Sequence, residues 1–240
     1  VTNAVASSSL TLNVDNITTT GTAEIDLAGT TITNLTINAT GKDSAFTLDA
    51  NGLVDLTINA TAGLNLSAAT TDYATTNLDN VTIKGAGSVN LGVISTATGL
   101  VSFNASANTG GVTATVNANA TTMIALNTDG YVFSAGNDVV TLSNSTVSSK
   151  VTLGAGDDIV TLAAGTTALA AVIDGGTGSD TLEMAVADAH LVSGLADGAF
   201  ETKITGFEKL SLTATAASTA ATIDLSEFDD ISYVISKGTG

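Results

Sequence analysis

One feature constrains this chain more than any other: a repeat. Asn34-Leu-Thr-Ile-Asn-Ala-Thr40 returns almost unchanged 21 residues later as Asp55-Leu-Thr-Ile-Asn-Ala-Thr61, and a weaker echo follows at Asn80-Val-Thr-Ile-Lys84. Around these lie further apolar-x-apolar units, among them Leu10–Leu12, Ile25–Leu27, Phe46–Leu48, Leu64–Leu66, Val89–Leu91, Val101–Phe103, Ile124–Leu126, Val140–Leu142, Val151–Leu153 and Val160–Leu162. Their starts fall mostly 8 to 12 residues apart. Period-two alternation indicates strands. A three-residue strand cannot stand alone, so it must pair with copies of itself above and below. Two such strands per 21-residue period predict one rung of a right-handed parallel β-helix or β-roll, with Leu35 and Ile37 facing a narrow core and Thr36 facing water. The rival over residues 1–130 is an Ig-like sandwich, which also has short strands at this spacing. The absence of Pro and the 21-residue repeat favour the solenoid.

Composition narrows the function. Six Lys and no Arg oppose 23 acidic residues, a net charge of −17. That field repels nucleic acid and anionic lipid and attracts cations. Cys is absent, so stability without disulfides points to metal binding as one source. No apolar run approaches the roughly 20 residues of a membrane helix. Aromatic residues are 4% of the chain, which predicts a core of small and β-branched side chains rather than large rings. With neither an initiating Met nor a signal peptide, the chain reads as a piece of a longer protein.

Chemistry concentrates in three segments that match the pattern Gly-x-Gly-x-Asp-x-apolar with increasing fidelity. They are Ser134-Ala-Gly-Asn-Asp138-Val-Val140, Gly154-Ala-Gly-Asp-Asp158-Ile-Val160 and Gly175-Gly-Thr-Gly-Ser-Asp180-Thr-Leu182. The third matches the nonapeptide G-G-x-G-x-D-x-U-x throughout. The aspartates are 20 and 22 residues apart, one rung each, so the turns should stack on one side. Calcium takes six to eight oxygens and accepts carbonyls. Glycines let a turn aim carbonyls at one point, and the Asp adds a carboxylate. One turn gives half a coordination sphere, so an ion should lie between two stacked turns.

These turns resemble those of the RTX family. The resemblance implies calcium ligation by Asp138, Asp158 and Asp180, with carbonyls from Gly136, Gly154, Gly156, Gly176 and Gly178. The candidate set also includes Asn137 and Ser134 of the first turn, where Ser134 replaces the expected Gly, and Asp157, which adds negative field. More widely, the Thr/Ala/Asn-rich strands, the block Gly154 to Leu162 and Ile204-Thr-Gly-Phe-Glu-Lys-Leu210 are similar to RTX-type bacterial surface-layer proteins such as that of Caulobacter. This implies a secreted, cell-surface protein exported by a type I system, self-associating into a calcium-dependent two-dimensional lattice, with cell-surface polysaccharide met through other regions. The organisation expected is solenoid repeats over 1–133, a calcium-binding roll over 134–184, and an excursion with closing strands over 185–240, all in one continuous solenoid.

Other features carry less. Residues 185–209 hold a short helix or a long excursion, followed by strands at Leu210–Leu212 and Ile223–Leu225. His190 has no Cys nearby and reads as a surface residue. Glu227, Asp229 and Asp230 read as a solvated face, with an additional calcium site as the alternative. Gly85-Ala-Gly87-Ser-Val89 is a degenerate turn without Asp, read as structural. No nucleophile elbow or triad is visible, so the reading is not an enzyme. The alternatives are an RTX folding module of a larger exoprotein and an adhesin.

Overall fold

A computed structural model describes residues 8–18, 23–67, 73–119, 122–123, 129–195, 198–213, 222–228 and 230–237. Every strand pair among them is parallel, which removes the sandwich and leaves the solenoid. One nine-stranded sheet stacks Ser9–Val14, Asn34–Ala39, Asp55–Ala60, Asn80–Gly85, Ser102–Asn108, Tyr131–Val132, Val151–Thr152, Ile173–Asp174 and Ile204–Thr205. The second stacks Ser44–Ala45, Leu64–Asn65, Val89–Val93, Val112–Val116, Val139–Leu142, Ile159–Thr161, Thr181–Ala185, Lys209–Thr213 and Tyr233–Lys237. A short third sheet pairs Glu24–Asp26 with Thr47–Asp49. Both long sheets run across residues 133/134 and 184/185.

The repeat is the register. Asn34–Ala39 pairs residue for residue with Asp55–Ala60, and Leu35 and Ile37 are buried while Thr36 is half-buried on the outer face. One inward column runs Leu10, Leu35, Leu56, Val81, Phe103, Tyr131, Val151, Ile173 and Ile204 through the whole first sheet. Each such aliphatic side chain contributes about 1.5–3 kcal/mol when fully buried. The outer face is stitched by amides. Asn59 Nδ2 donates to Asn38 Oδ1 (2.8 Å), Asn38 Nδ2 to Asn13 Oδ1 (2.7 Å), and Asn80 Nδ2 to Asp55 Oδ1 (2.7 Å). The Asn residues of the repeat are therefore ladder residues.

Two expectations are corrected. Rings are few, yet most of them lie in the core. All six Phe, with Tyr73 and Tyr131, are buried, and Phe103 packs on Phe133 at 4.8 Å and on Tyr131 at 5.7 Å between centroids. Their large apolar surface gains most from burial, and the inward column admits them at Phe103 and Tyr131. Second, the segment at Ile223–Leu225 is no strand; Leu225–Glu227 forms a 3-10 turn whose start is capped by the Asp224 carboxylate. The expected strand Ile124–Leu126 lies outside the described residues. Residues 185–209 resolve into the α-helix Val186–Val192, the 3-10 turn Glu201–Lys203 and the strand Ile204–Thr205. The helix buries Ala189 and Val192, and Asp188 Oδ2 accepts the Gly165 N–H at 2.8 Å. Among the described residues no helix is long and apolar enough to cross a membrane.

Candidate metal centre

Each turn of interest carries the chain from a first-sheet strand to the neighbouring second-sheet strand. The three stack: Asp138 N–H donates to Asp158 Oδ1 (2.7 Å), Asp158 N–H to Asp180 Oδ1 (2.8 Å), and Asp180 N–H to Glu208 Oε2 (2.8 Å). The apolar residues after them, Val140, Val160 and Leu182, are fully buried and anchor the turns. Backbone-on-backbone stacking requires Gly. A Cβ on Gly178, at φ +145°, would lie 1.8 Å from the Gly156 carbonyl oxygen, and one on Gly176 would lie 2.0 Å from that of Gly154. Gly154 and Gly156 likewise sit against Ser134 and Gly136 of the turn before.

Asp138, Asp158 and Asp180 are wholly buried. Their neighbours in sequence, Asn137 and Asp157, are exposed and form a second ladder of the opposite sense: Asp157 N–H donates to Asn137 Oδ1 (2.9 Å) and Ser179 N–H to Asp157 Oδ1 (3.0 Å). The turn thus has an inner ladder that accepts from the rung before and an outer ladder that accepts from the rung after. Side-chain oxygens replace the carbonyls that a regular parallel sheet would supply to these N–H groups.

The inner carboxylates differ in how fully they are satisfied. Asp138 Oδ1 accepts from Val112 N–H (2.5 Å) and Ser134 Oγ (2.7 Å), and its Oδ2 accepts from Ser134 N–H (2.9 Å). Asp158 Oδ2 and Asp180 Oδ2 are buried without any hydrogen-bond partner. Burial pushes the Asp158 carboxyl up to about 7, against its Asp138 N–H bond, with the like charges of Asp138, Asp180 and Asp157 adding to the rise. Burial, with Glu208 and Asp157, raises Asp180 to about 6, opposed by the Asp158 N–H and Lys209. Asp138 is also raised by burial, opposed by its Ser134 and Val112 donors. An orphaned carboxylate oxygen in a buried turn fits a hard cation, which would stabilise the ionised form that burial disfavours. Among the described residues no three His, Cys, Asp or Glu side chains converge, so carbonyls would have to complete any coordination sphere. Calcium accepts that donor set.

Glu208 continues the column and was not among the residues singled out from sequence. It lies 28 residues after Asp180, beyond the helix, in a turn with one Gly, and so breaks the spacing of the motif. Lys209 Nζ donates to the Ser179 carbonyl at 3.2 Å and closes that end. At the C-terminal acidic group, Glu227 is buried rather than solvated, and its Oε2 has no partner. The 3-10 turn and the buried Phe228 beside it, packed on Phe200 at 5.7 Å, fold it inward. Asp230 is exposed, and Asp229 lies outside the described residues. His190 is exposed on the helix, with Nδ1 2.7 Å from the Thr222 carbonyl. No family model, curated protein or solved structure matches the chain.

Proposed function

We propose that the turns ending in Asp158 and Asp180, with Asp138 as their neighbour, bind calcium, and that the chain is a structural, non-enzymatic segment of a secreted, self-assembling bacterial surface-layer protein of the RTX type. The observation that carries the metal reading is the pair of buried carboxylate oxygens, Asp158 Oδ2 and Asp180 Oδ2, left without partners in stacked Gly-rich turns. Asp158 and Asp180 would supply the carboxylates, and Gly154, Gly156, Gly176 and Gly178 the carbonyls. The ion would neutralise charge that the fold otherwise holds unfavourably and would tie successive rungs together. The surface-layer reading rests on the motif resemblance, the long repetitive solenoid and the net charge of −17, which keeps copies apart until a divalent cation neutralises it.

Calcium should raise Tm by mass action, since it binds only the folded turns. Magnesium, which demands tight octahedral geometry, should do much less. Identical melting curves in calcium and chelator would remove the metal reading. Ordered sheets in electron micrographs with calcium support the lattice. Monomers under all conditions would favour the folding-module alternative.

A further inference from the structure

The turn column does not begin at Ser134. Towards the N-terminus the same edge carries Asn108-Thr-Gly-Gly-Val112 and Gly85-Ala-Gly87-Ser-Val89. Hydrogen bonding aligns them. Thr109 N–H donates to the Gly85 carbonyl (2.9 Å), Ala135 N–H to that of Asn108 (2.9 Å), Ala155 N–H to that of Ser134 (3.4 Å), and Thr177 N–H to that of Gly154 (2.9 Å). Gly85, Asn108, Ser134, Gly154 and Gly176 therefore hold one position in successive turns.

What fills the turn centre changes along this series. The carbonyls of Gly85 and Gly87 converge on one point, and Asn108 Nδ2 occupies it, 2.9 Å from each. Asn108 Oδ1 accepts from Gly110 N–H (3.1 Å) and Gly111 N–H (3.0 Å), and the residue is fully buried. One turn later the Ser134 hydroxyl bonds Asp138 Oδ1 and lies 3.1 Å from the Gly136 carbonyl oxygen, while its N–H bonds Asp138 Oδ2. At the next two turns the position is Gly; the Gly176 N–H goes instead to Asp174 Oδ1 (3.2 Å), and Oδ2 of Asp158 and of Asp180 has no partner.

We infer that Asn108 is a built-in substitute for a cation: its NH₂ group holds together two carbonyl oxygens that would otherwise repel, so this turn closes without metal, as does that of Asp138 with both its oxygens bonded, and the need for an ion starts at Gly154. The contrast with the later turns rests on the calcium reading above; the role of Asn108 does not. An NH₂ group aimed at two carbonyls brings the partial positive charge of its two N–H bonds to the place where a cation would bring a full one.

Asn108→Asp tests this with almost no change of shape. One carboxylate oxygen keeps accepting from Gly110 and Gly111. The other faces the Gly85 and Gly87 carbonyls with no proton to offer, and needs a cation. Calorimetric titration and melting of the full chain should show one more bound calcium than wild type, and a loss of Tm in chelator that calcium restores. An equal loss of Tm in calcium and chelator, with unchanged stoichiometry, would overturn the inference. If wild type ignored calcium while the variant gained an ion, the reading of Asp158 and Asp180 would fall and the inference about Asn108 would stand. Should Asn108→Asp not fold in chelator, folding restored by calcium and not by magnesium supports the inference, and failure to fold in either ion overturns it.

Discussion

Replacing Asp158 with Asn should move stability in opposite directions in chelator and in calcium. Asp158 is buried, with one oxygen on the Asp138 N–H and the other without a partner. Asn keeps the acceptor and removes the charge. A carboxyl held at about 7 instead of its ordinary 3.8 disfavours the ionised form by about 4 kcal/mol, at about 1.4 kcal/mol per tenfold change. The new amide NH₂ inherits the orphaned position, and leaving it unpaired gives back about 1–3 kcal/mol. The net in chelator at pH 8 is a stabilisation of about 1–3 kcal/mol, or roughly 2–12 °C in Tm for a chain of this size. If the proposed sites bind calcium, then at about a thousand times Kd wild type should gain about 4.1 kcal/mol per site, most of which the variant should forgo. Thermal melts followed by circular dichroism should therefore place the variant above wild type in chelator and below it in calcium. Shifts of the same sign in both conditions would refute the argument, since they would mean that Asp158 serves only to hold the turn.

Two further outcomes follow from the same geometry. The folded-state values of Asp158 and Asp180, about 7 and about 6, lie above the ordinary 3.8, so the folded chain binds these protons more tightly than the unfolded one. Their contribution in chelator is then fully present below about pH 4 and is lost as pH rises through 7, at up to about 1.4 kcal/mol per pH unit for each group. A Tm that climbs from pH 4 to 7 in chelator would contradict this, and Asp158→Asn should flatten the fall. Gly178→Ala should lose about 2–5 kcal/mol with or without calcium, because its Cβ meets the Gly156 carbonyl in a strained conformation. Gly29→Ala, at φ +68° with nothing within 4 Å, should lose only about 1–2 kcal/mol; equal losses in melts of the two variants would show that stacking is not what fixes Gly178.

The solenoid was legible because its signal is local and repeated. Leu35, Ile37 and their copies at Leu56 and Ile58 state the register directly, and the 20- and 22-residue spacing of the aspartates states the stacking. What could not be read depends on where a side chain reaches. Asn108 looks like one more Asn in a chain full of them; only the pairing of Ser102–Asn108 with Asn80–Gly85 brings its amide onto the Gly85 and Gly87 carbonyls. The sequence pattern marks Ser134 as a departure from Gly, and the bonds to Asp138 show what the departure does. Glu208 was hidden by the helical excursion, which lengthens its rung. The rings were under-weighted because their frequency was used, whereas their size and their place in the inward column determine the core. Glu227 was misjudged from its acidic neighbours, since charge alone does not tell which way a 3-10 turn faces.

The two oxygens of each inner carboxylate divide two tasks. Where the chain turns between sheets, the N–H groups of Asp138, Asp158 and Asp180 lose the carbonyls that strands would offer, and a buried N–H without an acceptor is costly. One oxygen of the next rung's acid meets that need in every turn, through Asp158, Asp180 and Glu208. This task asks for an acceptor and not for a charge, as the outer ladder shows by using Asn137 where the following turn uses Asp157. The charge at the inner positions therefore needs a separate reason. At Asp138 the Ser134 donors answer it; at Asp158 and Asp180 the proposed cation would. A loss of stability in an Ala variant at these positions would mix both tasks, whereas Asn preserves the first and removes the second. The chemistry of the column is therefore separable from its architecture by a single-atom change.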